Sequence, residues 1–284
     1  MSEINEEKNI NGFEKKASFL KKIKYALLVF LVFVILFFLV GYREDITIEN
    51  IRYLLKYVDI SGSAIGSDDV QTIHFDTMSH TVTDIFRSEL VVLSKNELKT
   101  FDLSAKEGVS DTHSLANPTL SMGKKAFAVY DLGDKYYALY NSFSKIYEET
   151  TDYPVWEIVF SDSGDYCIIT SEDGYRSVLR VYNSDFENKM NWYTTDKYVV
   201  CADVLGKRDT YVVAGCVENN ESGDFLTSVV ILRDGSDKIE AKAEFSGELI
   251  LDVAFFDNGN ICALTDRAMR TLDLSGKVLS TVSF

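Results

Sequence analysis

The spacing of hydrophobic positions changes character along the chain. Residues 25–42, "YALLVFLVFVILFFLVGY", are apolar without interruption and hold no charged side chain. As a helix, these eighteen residues would span roughly 27 Å at about 1.5 Å per residue, near the thickness of a bilayer core. A run that is apolar on every side excludes an amphipathic surface helix. Residues 45–60, "DITIENIRYLLKYVDI", then place Ile48, Ile51, Leu54, Leu55 and Val58 at helical spacing, with Thr47 as N-cap. The stretch 61–69, "SGSAIGSDD", is small and polar and reads as a linker. From residue 71 the apolar runs become short, alternating or wholly hydrophobic, rich in Val, Ile, Tyr, Phe and Thr, and broken by turn residues. That is an all-β pattern.

The β region repeats itself. Five segments share one form: "LKTFDLSAKE" (98–107), "YALYNSFSKI" (137–146), "LRVYNSDFEN" (179–188), "VILRDGSDKI" (230–239) and "MRTLDLSGKV" (269–278). In each, a strand runs into Asp or Asn, turns, and starts another strand. The turn residues Asp102, Asn141, Asn183, Asp234 and Asp273 are spaced by 39, 42, 51 and 39. Their short polar side chains suit them to accept backbone hydrogen bonds at a reversal. The long interval contains "ENNESGDF" (218–225), which reads as an acidic loop inserted between two strands. Upstream of these hairpins lie others, such as "WEIVFSDSGDYCIITS" (156–171) and "ILDVAFFDNGNICALT" (250–265), with "VVCADVLGKRDTYVVAG" (199–215) as their counterpart. On this alignment Cys167, Val212 and Cys262 correspond. Units of four strands and about forty residues predict a β-propeller of about five blades. A sandwich would lack the repeated phrase. The last unit already has its own final strand, "KVLSTVSF", and "QTIHFD" (71–76) reads as a strand ahead of the first unit. The expected ring is therefore open or imperfectly closed.

Charge assigns the sidedness. Lys15, Lys16, Lys21, Lys22 and Lys24 precede the apolar run, and only Arg43 follows it before Glu44 and Asp45. The positive-inside bias places the N-terminus in the cytoplasm. The absence of a small-x-small site in "GYREDITIEN" favours an uncleaved signal anchor over a cleaved signal peptide. The predicted organisation is a cytoplasmic tail (1–20), a transmembrane anchor (21–43), a juxtamembrane helix and linker (44–70), and an extracytoplasmic propeller (71–284). The first 24 residues carry +2 and the remainder −17, which argues against nucleic acid as a partner. The four cysteines (167, 201, 216, 262) form no CxxC and sit in apolar runs, so they read as unpaired core residues.

The run 116–171, beginning "ANPTLSMGKKAFAVYDLGDKYYALYNSFSK", resembles the bacterial domain-of-unknown-function family 5711. The strings "ANP", "LYNSFSK" and "SDSGDY" carry most of the resemblance, and "SGDFLTSVVIL" (222–232) adds to it. The resemblance implies anchored, propeller-like proteins of mainly clostridial and related Gram-positive bacteria. It brings no assigned activity and no functional residues, and members usually extend further at the C-terminus.

Reaction motifs are absent: no GxSxG, HExxH, P-loop or GxGxxG occurs. His74, His80 and His113 have no nearby cysteine ligand, and no cofactor or metal is expected. Asp162, Asp165, Glu172 and Asp173 cluster around two turns, where ordinary turn chemistry competes with calcium binding. Tyr153, Trp156 and Tyr193 read as core aromatics, with a sugar-binding rim as the competing role. The expected function is a non-enzymatic binding or scaffolding module that meets an envelope protein or wall polymer. The alternative is a cell-surface glycan- or peptide-acting enzyme with carboxylates dispersed over the blades.

Overall fold

The computed structural model describes residues 24–25, 27–34, 72–73, 80–206, 209–219, 225–236 and 238–284. The chain divides into two units, 1–68 and 69–284. In the first, the described residues are helical, and the apolar side chains from Leu27 to Phe33 are exposed. Among the described residues no helix is long and apolar enough to cross a membrane. The rest of the predicted span, the helix over 45–60 and most of the strand predicted at 71–76 lie outside the described residues; Thr72 and Ile73, which are described, belong to no strand.

The second unit holds five antiparallel sheets of four strands each. Sheet 1 is β1 (Val82–Phe86), β2 (Glu89–Leu93), β3 (Glu97–Phe101) and β4 (Glu107–Thr112). Sheet 2 is β5 (Pro118–Met122), β6 (Phe127–Asp131), β7 (Tyr136–Tyr140) and β8 (Lys145–Thr150). Sheet 3 is β9 (Val155–Phe160), β10 (Tyr166–Glu172), β11 (Tyr175–Tyr182) and β12 (Asn188–Thr194). Sheet 4 is β13 (Tyr198–Gly206), β14 (Thr210–Asn219), β15 (Phe225–Arg233) and β16 (Ile239–Ser246). Sheet 5 is β17 (Ile250–Phe255), β18 (Ile261–Thr265), β19 (Ala268–Leu272) and β20 (Val278–Ser283). In every sheet the strands follow chain order, so each sheet is a meander, and the five repeated phrases fall on the five outer hairpins.

Sheets pack front to back in sequence. Phe86, Val91 and Leu98 of sheet 1 meet Phe127, Val129 and Tyr140 of sheet 2. Tyr130, Tyr137 and Leu139 of sheet 2 meet Ile158, Tyr166 and Ile168 of sheet 3. Ile169, Leu179 and Trp192 of sheet 3 meet Val204, Val212 and Ala214 of sheet 4. Val213, Val229 and Ile231 of sheet 4 meet Val253, Ile261 and Ala263 of sheet 5. The middle strands of sheets 2 to 4 are thus covered on both faces, which is why they read as continuous apolar runs rather than alternating ones. Among the described residues no substantial packing joins sheet 5 to sheet 1.

Two sequence expectations are corrected. Cys167 pairs with Val159, Cys262 with Ala254, and Val213 with Asp203. The residue of sheet 4 that corresponds to the two cysteines is therefore Val213. Val212 faces back onto sheet 3, because β13 and β14 are longer than their counterparts and shift the count by one. The long repeat interval is also not simply an inserted loop: β14 and β15 stay paired through Glu218↔Leu226 and Asn219↔Phe225. Extra length has gone into strands, since each added residue pair makes ladder hydrogen bonds that a loop would leave to water.

Candidate functional site

The ends of the first strands and the turns that follow them come together in sheets 2 to 5. The turns run over 123–126, 161–165, 207–209 and 256–260, with 207–208 outside the described residues. Within the second turn, Ser161 N–H donates to Asp165 O at 2.8 Å, and Gly164 supplies the required φ of 96°. The turns approach closely. A Cβ on Gly123 would lie 2.6 Å from Phe160 Cβ and 2.8 Å from the Ala126 carbonyl. Gly123→Ala is therefore expected to cost about 1–3 kcal/mol by overpacking, measured as a lowered thermal midpoint; an unchanged midpoint would show that these turns can part.

Between the turns lies a cleft of about 260 Å³. Phe160, Phe255 and Phe256 give it an aromatic lining, and Asp162, Asp203, Asp257 and Lys124 give it charge. Asp203 Oδ2 accepts the N–H of Phe255 at 2.6 Å, and its Oδ1 accepts the N–H of Val204 at 2.8 Å. Burial raises its carboxyl pKa above the ordinary range despite these donors. Lys124 pairs with Asp162, whose hydrogen bond holds the ammonium above the usual lysine range. Phe256 is 45 % exposed. The cleft thus offers rings and a surplus of carboxylate, a surface suited to a partner group carrying positive charge on an apolar stem.

A row of inner-strand residues recurs across three sheets. Glu157 pairs with Ile169, Cys201 with Gly215, and Asp252 with Leu264, which makes these three equivalent in register. Glu157 faces the backbone N–H of Ala202, and Cys201 faces that of Val253, each on the next sheet. Glu157 Oε2 is shut off from solvent without a hydrogen-bond partner. Burial, with the Asp252 and Asp203 carboxylates nearby, pushes its pKa up to about 7.

The five predicted turn residues sit at the outer hairpins, away from the cleft. Asp102 Oδ1 accepts the N–H groups of Ser104 and Lys106, and Asn141 Oδ1 those of Phe143 and Ser144. Asn183 and Asp273 do the same for Asp185 and Glu187, and for Ser275 and Lys277. Asp234 instead pairs with Lys189 at 3.0 Å. Of the acidic cluster, Asp162 pairs with Lys124, Glu172 with Arg180, and Asp165 accepts from Thr210 Oγ1. Among the described residues no group of three or more His, Cys, Asp or Glu is arranged to hold a metal ion. His113 Nε2 lies 2.9 Å from Ser94 O, and His74 is outside the described residues. Trp156 and Tyr193 are exposed rather than core, at 49 % and 44 %. All four cysteines are free, and burial raises the pKa of each thiol.

The cleft residues stand in strand ends and turns that the sequence marks only as strand and turn. Their convergence is tertiary, and the recurrence of a first hairpin in each unit is the one signal that could have located it. A model described as "Family of unknown function (DUF5711)" matches residues 67–283, most of the chain and all five sheets. The chain belongs to this family. Among solved structures, the Dos1 propeller aligns to this DUF5711 member with a TM-score of 0.50 and 13 % identity, over 69 % of this chain and 55 % of that one. The WD40 β-propeller domain of Doa1 aligns at 0.43 and 12 %, over 67 % and 62 %. The Neurospora crassa Pan2 WD40 domain aligns at 0.45 and 16 %, over 72 % and 65 %. The five four-stranded meanders and the likeness to the Dos1 propeller give the DUF5711 chain a β-propeller fold, and it spans just over half the length of the Dos1 chain. No curated protein matches its sequence.

Proposed function

We propose that the protein is a membrane-anchored binding or scaffolding module of the cell envelope. Residues 25–42 form its single span, the N-terminus lies in the cytoplasm, and the propeller stands outside. The five lysines just before the apolar run, against Arg43 alone directly after it, support this orientation. The observation that carries the binding role is the cleft, where sheets 3, 4 and 5 present aromatic rings and carboxylates to one space. Such a site takes a cationic group of an envelope partner.

The test is recovery of an envelope partner after mild crosslinking in cells, with tags at both chain ends. Asp162→Lys combined with Asp257→Lys reverses the sign of the cleft and is expected to reduce recovery at least about tenfold, the size of a like-charge penalty at an interface. Equal recovery by the double variant, or no envelope partner at all, would sink the binding role. Protease shaving of the same cells should remove the C-terminal tag and spare the N-terminal one; the reverse pattern overturns the orientation.

One observation favours an enzyme as the second reading. A carboxyl raised to about 7 near other carboxylates is the setting of a general acid in glycoside hydrolysis. Against it, the unpaired Oε2 of Glu157 is sealed from solvent and so from substrate. Hydrolysis of wall glycan fragments that disappears in Glu157→Gln would install this reading in place of the first.

A further inference from the structure

Sheets 3 and 5 carry an arginine and a threonine at the same two places. Ile168 pairs with Arg180 on sheet 3, and Ala263 with Arg270 on sheet 5. Because Cys167 answers to Cys262, one residue earlier on each second strand, Arg180 answers to Arg270. Thr170 and Thr265 correspond likewise, paired with Val155 and Ile250 at the starts of the first strands. Each arginine reaches its threonine, Nη1 to Oγ1, at 3.0 Å in sheet 3 and 3.5 Å in sheet 5.

The two places differ in what meets the guanidinium. In sheet 5 Glu248, two residues before Ile250, fills it. Glu248 Oε2 accepts from Arg270 Nη1 at 2.5 Å, and its Oε1 accepts from Nη2 at 2.6 Å. Thr265 Oγ1 donates to the same Oε2 at 2.7 Å. Two residues before Val155 in sheet 3 stands Tyr153, which has no carboxylate to offer. Glu172 reaches Arg180 and Thr170 through Oε1 only. Among the described residues Arg180 donates through Nη1 alone, so Nε and Nη2 are left over. Arg180, Thr170 and Tyr153 instead line a cavity of about 110 Å³ between sheets 2 and 3.

The rest of the lining carries the opposite charge. Glu149, near the end of β8, and Asp152, in the link to β9, border the same cavity. Glu149 Oε2 accepts from the hydroxyls of Tyr137 and Tyr147, both at 2.7 Å, which fixes the carboxylate. Its Oε1 has no hydrogen bond among the described residues. Tyr182, stacked on the buried Tyr166 at 5.0 Å, supplies an apolar wall.

We infer that this cavity binds an α-amino acid as its zwitterion. The ligand carboxylate meets Arg180 as Glu248 meets Arg270, the ammonium lies against Glu149 and Asp152, and the side chain rests on Tyr182. A lone anion would face the two carboxylates and a lone cation the guanidinium, so the lining selects a ligand that carries both charges. The cavity shares no lining residue with the cleft of Asp162 and Asp257, so it stands or falls independently of the proposed cationic partner.

The test is isothermal titration of each proteinogenic α-amino acid into the full chain in detergent micelles. At least one is expected to bind saturably, one per chain. Amidating its carboxyl or acetylating its amine should each weaken binding at least about tenfold, the loss of one charge-assisted pair. Arg180→Lys keeps the charge but not the planar fork and should weaken it by a similar factor. Tyr153→Glu places a carboxylate where Glu248 stands in sheet 5; it should abolish binding and raise the thermal midpoint. That variant decides the matter if Arg180→Lys fails to fold. No saturable binding below about 10 mM would overturn the proposal. So would binding that acetate or methylamine alone reproduces, or binding indifferent to Tyr153→Glu.

Discussion

Glu157→Gln will stabilise the fold by about 3 kcal/mol near pH 8 and by almost nothing near pH 4. In the folded chain the Glu157 carboxyl keeps its proton up to about pH 7, because ionising it would leave a charge on an oxygen with neither water nor a donor. In the unfolded chain it releases the proton near the ordinary 4.5. Between those values the folded state binds more protons than the unfolded one, so wild-type stability falls as pH rises through the window and stays reduced above it. Gln mimics the protonated side chain at every pH and removes the fall. Urea unfolding followed by Trp156 and Trp192 fluorescence, run at about pH 4, 6 and 8 on both proteins, reads the difference. Parallel pH profiles would show that water or a rearranged donor reaches the carboxylate.

Asp131→Ala is expected to cost about 2–3 kcal/mol, the loss of two charge-assisted hydrogen bonds whose donors, on the exposed Ala116 and Asn117, turn to water instead. Asp131 is 3 % exposed. Its Oδ2 accepts the N–H of Ala116 at 2.8 Å, and its Oδ1 accepts the N–H of Asn117 at 2.6 Å. These donors open the "ANP" string that links sheet 1 to sheet 2, so one carboxylate ties the connection to the end of β6. Asn at this position keeps one acceptor and should lose about half as much. The same urea titration distinguishes them: the order wild type, Asn, Ala in midpoint is the expected result, and coincident midpoints would mean that the link is held by other contacts.

Both predictions rest on residues to which the sequence assigns no special role. Glu157 is half-buried, and its Oε2 loses solvent only because the next sheet closes over it. Asp131 ends "FAVYD" and reads as the start of a turn, whereas its side chain reaches back across the sheet to residues 14 and 15 positions earlier. By contrast, four of the five hairpin residues singled out by spacing make the backbone hydrogen bonds that their chemistry suggests, because an Asp or Asn turn closes within four residues. Asp234 departs from them because Lys189, on a different sheet, takes its carboxylate.

The sequence by itself determined the all-β class, the four-strand unit, the five repeats and the outer hairpins. Alternation, turn chemistry and repeat length are local properties, and a strand's two faces are already written in its period of two. Tertiary structure alone decided the rest: which first hairpins converge into a cleft, that Val213 rather than Val212 answers to the two cysteines, and that the Oε2 of Glu157 is shut off from solvent. Each depends on how one sheet sits on the next. A single residue of register exchanges the two faces of a strand, and no local pattern records the distance between residues brought together from different sheets.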